Sequence, residues 1–283
     1  MPNNYNYIIV IPSYNRSDTI QAKTLLLLHK HNINHKLIFI FVANQEEYNI
    51  YYENIPKHLY NKLIIGELGL KHQRNFIMNY YPEGTHIVQM DDDLDKIVEL
   101  VIKNNNNTHT HRTHKNTQTT IHNTLNKHKT LKSVRPLNNL NKFIINAFKL
   151  CNDKKIFLWG VYPLSNAYFM TPTTTTDLRF IVGPFWGVIN RHNQELRLTI
   201  NEKENTERTL KHWVIDNAVL RFNYVGIETK YYKNKGGLQS EGKNRHNEAL
   251  KSVHYLHKIY PTLTKIYLGK KSGIPELKLI KRR

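Results

Sequence analysis

Short apolar runs recur along roughly the first hundred residues, each closed by a turn signal and followed by a stretch of helical periodicity. Tyr7-Ile8-Ile9-Val10-Ile11-Pro12 predicts a buried strand stopped by proline. The loop Ser13-Tyr14-Asn15-Arg16-Ser17 follows, and Ser17 or Asp18 is placed to cap a helix running through Thr24 to His31. Leu37-Ile38-Phe39-Ile40-Phe41-Val42 predicts a second strand, Gln45 to Tyr52 a helix, Leu63-Ile64-Ile65 a short strand, and Gln73 to Tyr80 another helix. That helix leads through the turn Pro82-Glu83-Gly84 into the apolar run His86-Ile87-Val88-Gln89-Met90. Strand and helix alternate, which predicts an α/β fold with a Rossmann-like, mostly parallel central sheet flanked by helices.

The pattern then breaks. From Asn104 to about Ser133 an Asn/Thr/His-rich tract of low complexity reads as a solvated loop. Asn138 to Leu150 reads as an amphipathic helix, and Ile156 to Tyr162 as a strand. The glycine-punctuated run Phe180 to Asn190 is strand-like. Thr206 to Val214 is expected helical, Tyr224 to Tyr232 extended, Gly236-Gly237 a loop, and Asn247 to Ile259 a closing helix before Pro261.

Composition narrows the class. At 283 residues, 40% hydrophobic and 11% aromatic, the chain is globular with a core of useful size. Abundant Asn and Lys with little Ala suggest an AT-rich coding genome, and a virus-encoded enzyme acting in a host cell fits. No signal-peptide pattern and no run of about 18–20 apolar residues occurs, so a soluble cytoplasmic or nuclear protein without a membrane partner is expected. Cys151 is the only cysteine, which excludes an intramolecular disulfide and suits a small core residue in a reducing compartment. Lys+Arg 41 against Asp+Glu 22 gives a net charge of +19, which makes a polyanion such as DNA the first partner to consider.

The chemistry concentrates where the fourth strand ends. Met90-Asp91-Asp92-Asp93-Leu94 places consecutive carboxylates at the carboxyl end of an apolar strand. Burying them there costs on the order of several kcal/mol unless a cation compensates. Ligands of open α/β sheets bind at this edge, and a divalent cation holding a diphosphate is the economical explanation. Pro12-Ser13-Tyr14-Asn15-Arg16, after the first strand, offers an aromatic ring for a base and a cation for a diphosphate. Gln73-Arg74-Asn75 puts a cation at a helix start, where it can meet an anion or pair with Glu67.

Strand-Pro-x-Tyr-Asn-Arg, then Gly-x-x-x-x-Arg-Asn, then an Asp-x-Asp strand end together resemble the nucleotide-sugar-binding half of a GT-A glycosyltransferase. Gly183-Pro184-Phe185-Trp186-Gly187, Lys203-Glu204-Asn205, Val219-Leu220-Arg221-Phe222-Asn223, Thr229-Lys230-Tyr231-Tyr232 and Gly236-Gly237, in that order, are similar to the TET/JBP-associated glycosyltransferases, which modify hydroxymethylated pyrimidines in DNA. The resemblance implies Mn2+ or Mg2+ as cofactor, a nucleoside-diphosphate sugar (a UDP-sugar) as donor, and DNA hydroxymethylpyrimidine as acceptor. It implies Asp93 as direct metal ligand and Asp91 as ribose or metal contact, with Asp92 in the same donor cluster but its side chain turned away. Pro12, Tyr14 and Arg16 would face the base and ribose, and Arg74 the nucleotide. The acidic pair that commonly supplies the base reads Glu204-Asn205 here, which makes Glu204 the candidate, with Glu207 or Asp216 as substitutes; His246 is the candidate for a further metal ligand. Tyr162, Phe185 and Trp186 are candidates to stack on an acceptor base or, equally, core residues. The resemblance implies one catalytic domain over residues 1–268, made of a nucleotide-sugar half (1–103), the low-complexity loop (104–133) and an acceptor-side half (134–268), with a basic tail at 269–283. Two other readings remain: the same chemistry on a protein or glycan acceptor, and a non-catalytic nucleic-acid-binding protein on the same scaffold.

Overall fold

The computed structural model describes residues 7–104, 130–229, 237, 245–269 and 273–280. The first apolar runs form β1 (Ile8–Pro12), β2 (Ile38–Val42), β3 (Lys62–Ile65) and β4 (His86–Met90). They pair in parallel in the order β3-β2-β1-β4. The chain moves outward from β1 through β2 and β3, then returns to pair β4 on the other side of β1. This reversal creates a crevice at the carboxyl ends of β1 and β4. The helices between them are α1 (Ser17–Ile20), which passes through a π-helical turn at Gln21–Leu25 into α2 (Leu26–Lys30), then α3 (Gln45–Asn54) and α4 (Leu70–Tyr80). The expected Ser17 or Asp18 cap is not made. Arg16 takes the N-cap position with no side-chain cap bond, and its N–H goes instead to the Tyr51 hydroxyl at 2.9 Å.

Past β4 the sheet becomes mixed. β5 (Leu94–Asn104) starts directly after the aspartates and pairs antiparallel with β6 (Thr130–Pro136). Both ends of the tract expected to be a loop are therefore strands, and residues 105–129 lie outside the described residues. α5 (Leu140–Lys154), β7 (Leu158–Tyr162), the two-residue β8 (Thr174–Thr175), β9 (Phe185–Ile189), α6 (Glu204–Asp216) and β10 (Leu220–Thr229) follow. The full order is β3-β2-β1-β4-β9-β7-β10-β5-β6, with β8 on β10. β9 runs antiparallel between β4 and β7, β7 and β10 pair in parallel, and β5 and β6 add an antiparallel edge, so the mostly parallel sheet predicted is strictly parallel only in its first half. α7 (Arg245–Ile259) and the hairpin β11 (Thr264–Tyr267) and β12 (Glu276–Leu279) complete the chain. β12 falls in the stretch read as a peripheral tail, and Leu277 is buried there.

Strand alternation sorts the core onto two faces. Ile9 and Ile11 join Leu25, Leu28 and Tyr51 on one side with Phe143, Phe148 and Trp159, whereas Val10 packs with Phe41, Ile77, Ile87 and Trp186 on the other. Cys151 is buried in the first cluster and its thiol is pushed up to about 12 by burial, so it packs as a hydrophobe. A third cluster joins Leu210 of α6 to Val253 and Leu256 of α7 and to Leu277 of β12, which fixes the C-terminal elements against α6. Among the described residues no helix is long and apolar enough to cross a membrane.

Candidate active site

A cleft of about 680 Å3 opens at the carboxyl edge of the parallel half. Its floor comes from the first residues beyond β1, β2, β3 and β4, among them Ser13, Ala43, Glu67 and Asp91. Its far wall is Val182 and Pro184 before β9, residues 202–206 at the start of α6, and Arg245 and Glu276 from the C-terminal elements. The size is that of a site that takes a small organic ligand.

The aspartate turn is held on every side. The Asp91 N–H donates to the Pro184 carbonyl at 3.0 Å. Thr24, in the π-helical turn, donates to the Asp91 carbonyl at 2.7 Å and accepts from the Leu94 N–H at 3.0 Å, bridging the whole turn. The Thr229 hydroxyl at the end of β10 lies 3.0 Å from the Asp93 carbonyl and 3.1 Å from its Oδ1. Thr24 carries no sequence signal, and Thr229, though it opens one of the motifs quoted for the resemblance, has no role assigned by sequence; only the tertiary path of the chain brings both to the turn.

The three carboxylates are compensated differently. Asp92 is buried, accepts from Ser13 Oγ at 2.6 Å and pairs with Arg16 Nη1 at 2.8 Å. Since Ser13 donates to Asp92, the Tyr51 hydroxyl donates to Ser13 at 2.7 Å, closing a chain Tyr51–Ser13–Asp92–Arg16. Asp93 lies 3.5 Å from the same guanidinium nitrogen. Asp91 pairs with Arg74 Nη2 at 3.0 Å. Burial pushes Asp91 up to about 7; Arg74 pulls it back, while Asp93, Asp92 and Glu204 add to the rise. Its side chain keeps 30% of its exposure toward the open cleft, so solvent tempers that shift.

The remaining candidates fall into two groups. Pro12, Tyr14 and Arg16 line the cleft with the aspartates, and the Gly237 N–H donates to the Tyr14 carbonyl at 3.2 Å. Gly237 has φ +61, and a Cβ there would stand 2.8 Å from Arg16 Cζ, so glycine lets this segment lie on the arginine. Glu204 is buried at the first position of α6, lines the cleft, and sits 4.0 Å from Arg74 Nη2. Lys203 before it is left-handed at φ 66. Arg74 itself is buried below the cleft; besides Asp91 it donates to Gln89 Oε1 at 3.2 Å, and Glu67 pairs with His72 instead. Glu207, Asp216 and His246 are not brought to the cleft. Glu207 accepts from the N–H groups of Thr199 and Ile200 and pairs with Lys211 at 3.0 Å, tying a loop to α6. Asp216, at the other end of α6, holds Arg191 by two bonds of 2.7 Å. His246 is exposed, next to the cleft-lining Arg245.

Two of the aromatic candidates are core. Phe185 and Trp186 are buried, the latter under the guanidinium of Arg208 at 3.7 Å from the ring, while Tyr162 lies beneath Arg221 at 5.4 Å. Phe185 packs in the core cluster on one face of the sheet and Trp186 in that on the other, so neither ring is open to a base. Exposed aromatics that the sequence pattern did not single out are Tyr168 and Phe169, on the loop whose first residues, Pro163 and Leu164, line the cleft.

A comparison with curated proteins finds no match. Among solved structures the chain is similar to a mycobacterial protein (8% identity over 98% of this chain and 84% of that one, TM-score 0.46). It is also similar to the mannosyltransferase PcManGT from Pyrobaculum calidifontis in complex with GDP-Man and Mn2+ (12% identity, 90% of this chain and 64% of that one, TM-score 0.44). A third is TarS from S. aureus (11% identity, 91% and 44%, TM-score 0.46). The assignment rests instead on sequence: the profile of the TET-Associated Glycosyltransferase family matches residues 7–164, more than half of the chain and the whole path from β1 past the aspartate turn to the end of β7. The chain belongs to the TET-associated glycosyltransferase family and is a glycosyltransferase.

Proposed function

We propose that this glycosyltransferase moves a sugar from a UDP-sugar to the hydroxyl of 5-hydroxymethylpyrimidine in DNA, and that Asp91 and Asp93 are the residues that would hold the Mn2+ or Mg2+ accompanying the donor. The observation that carries the reading is the charge of the cleft. In a chain of net charge +19, the described residues lining it include Glu67, Asp91, Asp92, Asp93, Glu202, Glu204 and Glu276 against Arg16, Lys203 and Arg245. Such a site rejects a diphosphate unless a divalent cation enters with it. The donor set suits the ion: hard cations take carboxylate oxygens and complete their shell with phosphate and water. Among the described residues no group of three or more His, Cys, Asp or Glu is arranged to hold a metal by itself.

When bound, the cation acts as a Lewis acid that stabilises charge on the departing nucleoside diphosphate. The chain does the rest. Arg16 and Ser13 fix Asp92 and thereby the turn, and Arg74 orients Asp91 from below. Tyr14 and Pro12 bound the nucleoside end of the cleft. Glu204 faces the same space from the α6 N-terminus, where a carboxylate is favoured as the anion, and accepts the proton of the acceptor hydroxyl. The DNA acceptor is supported by the net charge, since phosphate neutralisation dominates such affinity, and by the family's description.

The test incubates the protein with Mn2+, a panel of UDP-hexoses, and DNA carrying or lacking 5-hydroxymethylpyrimidine, followed by nucleoside mass spectrometry. Metal-dependent addition of a hexose mass to the modified base, lost in Asp93→Ala, is expected. Donor turnover without labelled DNA, with the sugar on protein or glycan instead, sinks the acceptor assignment; no metal-dependent donor turnover sinks the metal mechanism.

A further inference from the structure

We propose that Tyr168 and Phe169 stack on the nucleobases that flank the acceptor nucleotide, and so hold the DNA open while its modified base lies in the cleft. This rests on the DNA acceptor proposed above. Tyr168 and Phe169 are 79% and 55% exposed, and Tyr168 is the most exposed large hydrophobic side chain among the described residues. Their rings meet edge to face, with centroids 4.9 Å apart and planes at 89°, so one ring can present its face to a base while the other buttresses it.

Position and rigidity make the pair more than a surface patch. The loop that carries it leaves β7 at Tyr162, and its first residues, Pro163 and Leu164, line the cleft. The Leu164 carbonyl lies 2.4 Å from where a Cβ on Gly226 would stand, so the loop root sits directly on the β10 backbone. At the other end Met170 is fully buried and its carbonyl accepts from Lys132 Nζ at 3.0 Å, while the Thr171 N–H reaches the Asn223 carbonyl at 3.2 Å. Between these anchors Asn166 organises the tip: its side chain accepts the Tyr168 N–H at 3.0 Å and its carbonyl the Phe169 N–H at 3.2 Å. A tip tied down in this way loses little conformational freedom when it stacks, and the Lys132 ammonium beside it suits a phosphate backbone.

The depth of the site supplies the need. Transfer requires the acceptor hydroxyl within about 3–3.5 Å of the donor's reacting carbon, close to the largely enclosed Asp91 and Glu204. A base inside a stacked helix cannot reach that depth and must be turned out, which leaves its neighbours without a stacking partner. Aromatic side chains at the rim restore that contact for any base, because every base offers a π face.

The experiment compares wild type, Tyr168→Ala, Phe169→Ala and Tyr168→Phe on three acceptors: a 5-hydroxymethylcytosine oligonucleotide, the isolated 5-hydroxymethyl-2'-deoxycytidine nucleoside, and water, the last read as hydrolysis of the UDP-sugar. The two alanine variants should lower kcat/KM on the oligonucleotide about tenfold or more, with Tyr168→Phe close to wild type and with hydrolysis and nucleoside transfer within about twofold. Wild-type rates on the oligonucleotide, or an equal loss on the nucleoside, would overturn the proposal. Failure of the acceptor reading looks different: wild type then hydrolyses the donor but labels neither oligonucleotide nor nucleoside.

Discussion

Arg74→Met removes one guanidinium and keeps most of its aliphatic volume, so it isolates the charge that supports the aspartate turn. Arg74 is 2% exposed and contacts Asp91 at 3.0 Å and Gln89 Oε1 at 3.2 Å, with Glu204 at 4.0 Å. Breaking a buried ion pair from one side costs roughly 3–5 kcal/mol. Orphaning the fully buried Gln89 carbonyl adds about 1–3 kcal/mol. Two effects act the other way. Asp91, already pushed up to about 7, takes up a proton in the variant and stops being an unpaired charge. Arg208, whose guanidinium is held well below its ordinary range by burial and then by Arg74, is relieved of a like-charged neighbour. The net expectation is a loss of about 3 kcal/mol, or roughly 6–12 °C in Tm for a domain of this size. Urea unfolding in EDTA, followed by tryptophan fluorescence and circular dichroism together, measures it. A variant within about 1 kcal/mol of wild type would refute the claim that Arg74 neutralises the turn. Arg74→Lys, which keeps the charge and loses the fork, should fall between the two.

Glu204→Gln should lower sugar transfer about 10²–10⁴-fold while donor binding, followed by titration calorimetry in Mn2+, stays near wild type. Gly187→Ala places a Cβ 2.2 Å from the ring of the fully buried Trp159 and should cost about 1–3 kcal/mol in urea unfolding. His212 is buried, with its Nδ1–H on the Arg208 carbonyl at 3.0 Å, and burial lowers it to about 3. A histidine depressed in the folded state costs stability as pH falls through the unfolded value near 6.5, because only the unfolded chain gains the proton; the slope should be about 1.4 kcal/mol per pH unit and should flatten in His212→Gln.

The parallel half was legible because β1 and β2 are apolar, largely buried runs and β4 is nearly so, each with a hard stop, and a strand buried on both faces reads as such a run. β5 was not: Leu94-Asp95-Lys96-Ile97-Val98-Glu99 mixes charge with apolar residues, and it begins one residue after the aspartates, where a loop is the simplest expectation. β12 was missed for the same reason, since Leu277 and Leu279 alternate with charges in a basic stretch. In the site, Asp91, Asp92, Asp93, Arg16 and Glu204 all line one cleft, as their neighbourhood of strand ends and a helix start suggested. Thr24 was invisible, and Ser13 and Thr229 sat in quoted motifs without an assigned role, because a threonine or serine acquires meaning only from what the fold places opposite it. Glu276, from the supposed tail, reaches the cleft wall through its pair with Lys203 at 3.0 Å.

The pairing of the cations bears on how the enzyme handles its donor. A glycosyltransferase can meet the charge of a departing diphosphate with its own arginines and lysines or with a divalent cation. The described cleft-lining cations are engaged: Arg16 on Asp92, Lys203 on Glu276, and Arg245 on Glu202 at 3.0 Å. Arg74 lies below and is engaged by Asp91. Turning any of them to a diphosphate strands a buried or half-buried carboxylate, at a cost comparable to the gain. Asp91 keeps 30% of its side chain open, more than Arg16 (11%), Lys203 (11%) or Arg245 (20%), and carboxylates outnumber cations along the lining, so the charge turned toward the donor is negative. A divalent cation held by Asp91 and Asp93 would offset the donor's phosphate charge without drawing Arg16, Lys203 or Arg245 out of their pairs. For that reason the metal-dependent route, and not direct arginine capture, is the one this arrangement of side chains supports.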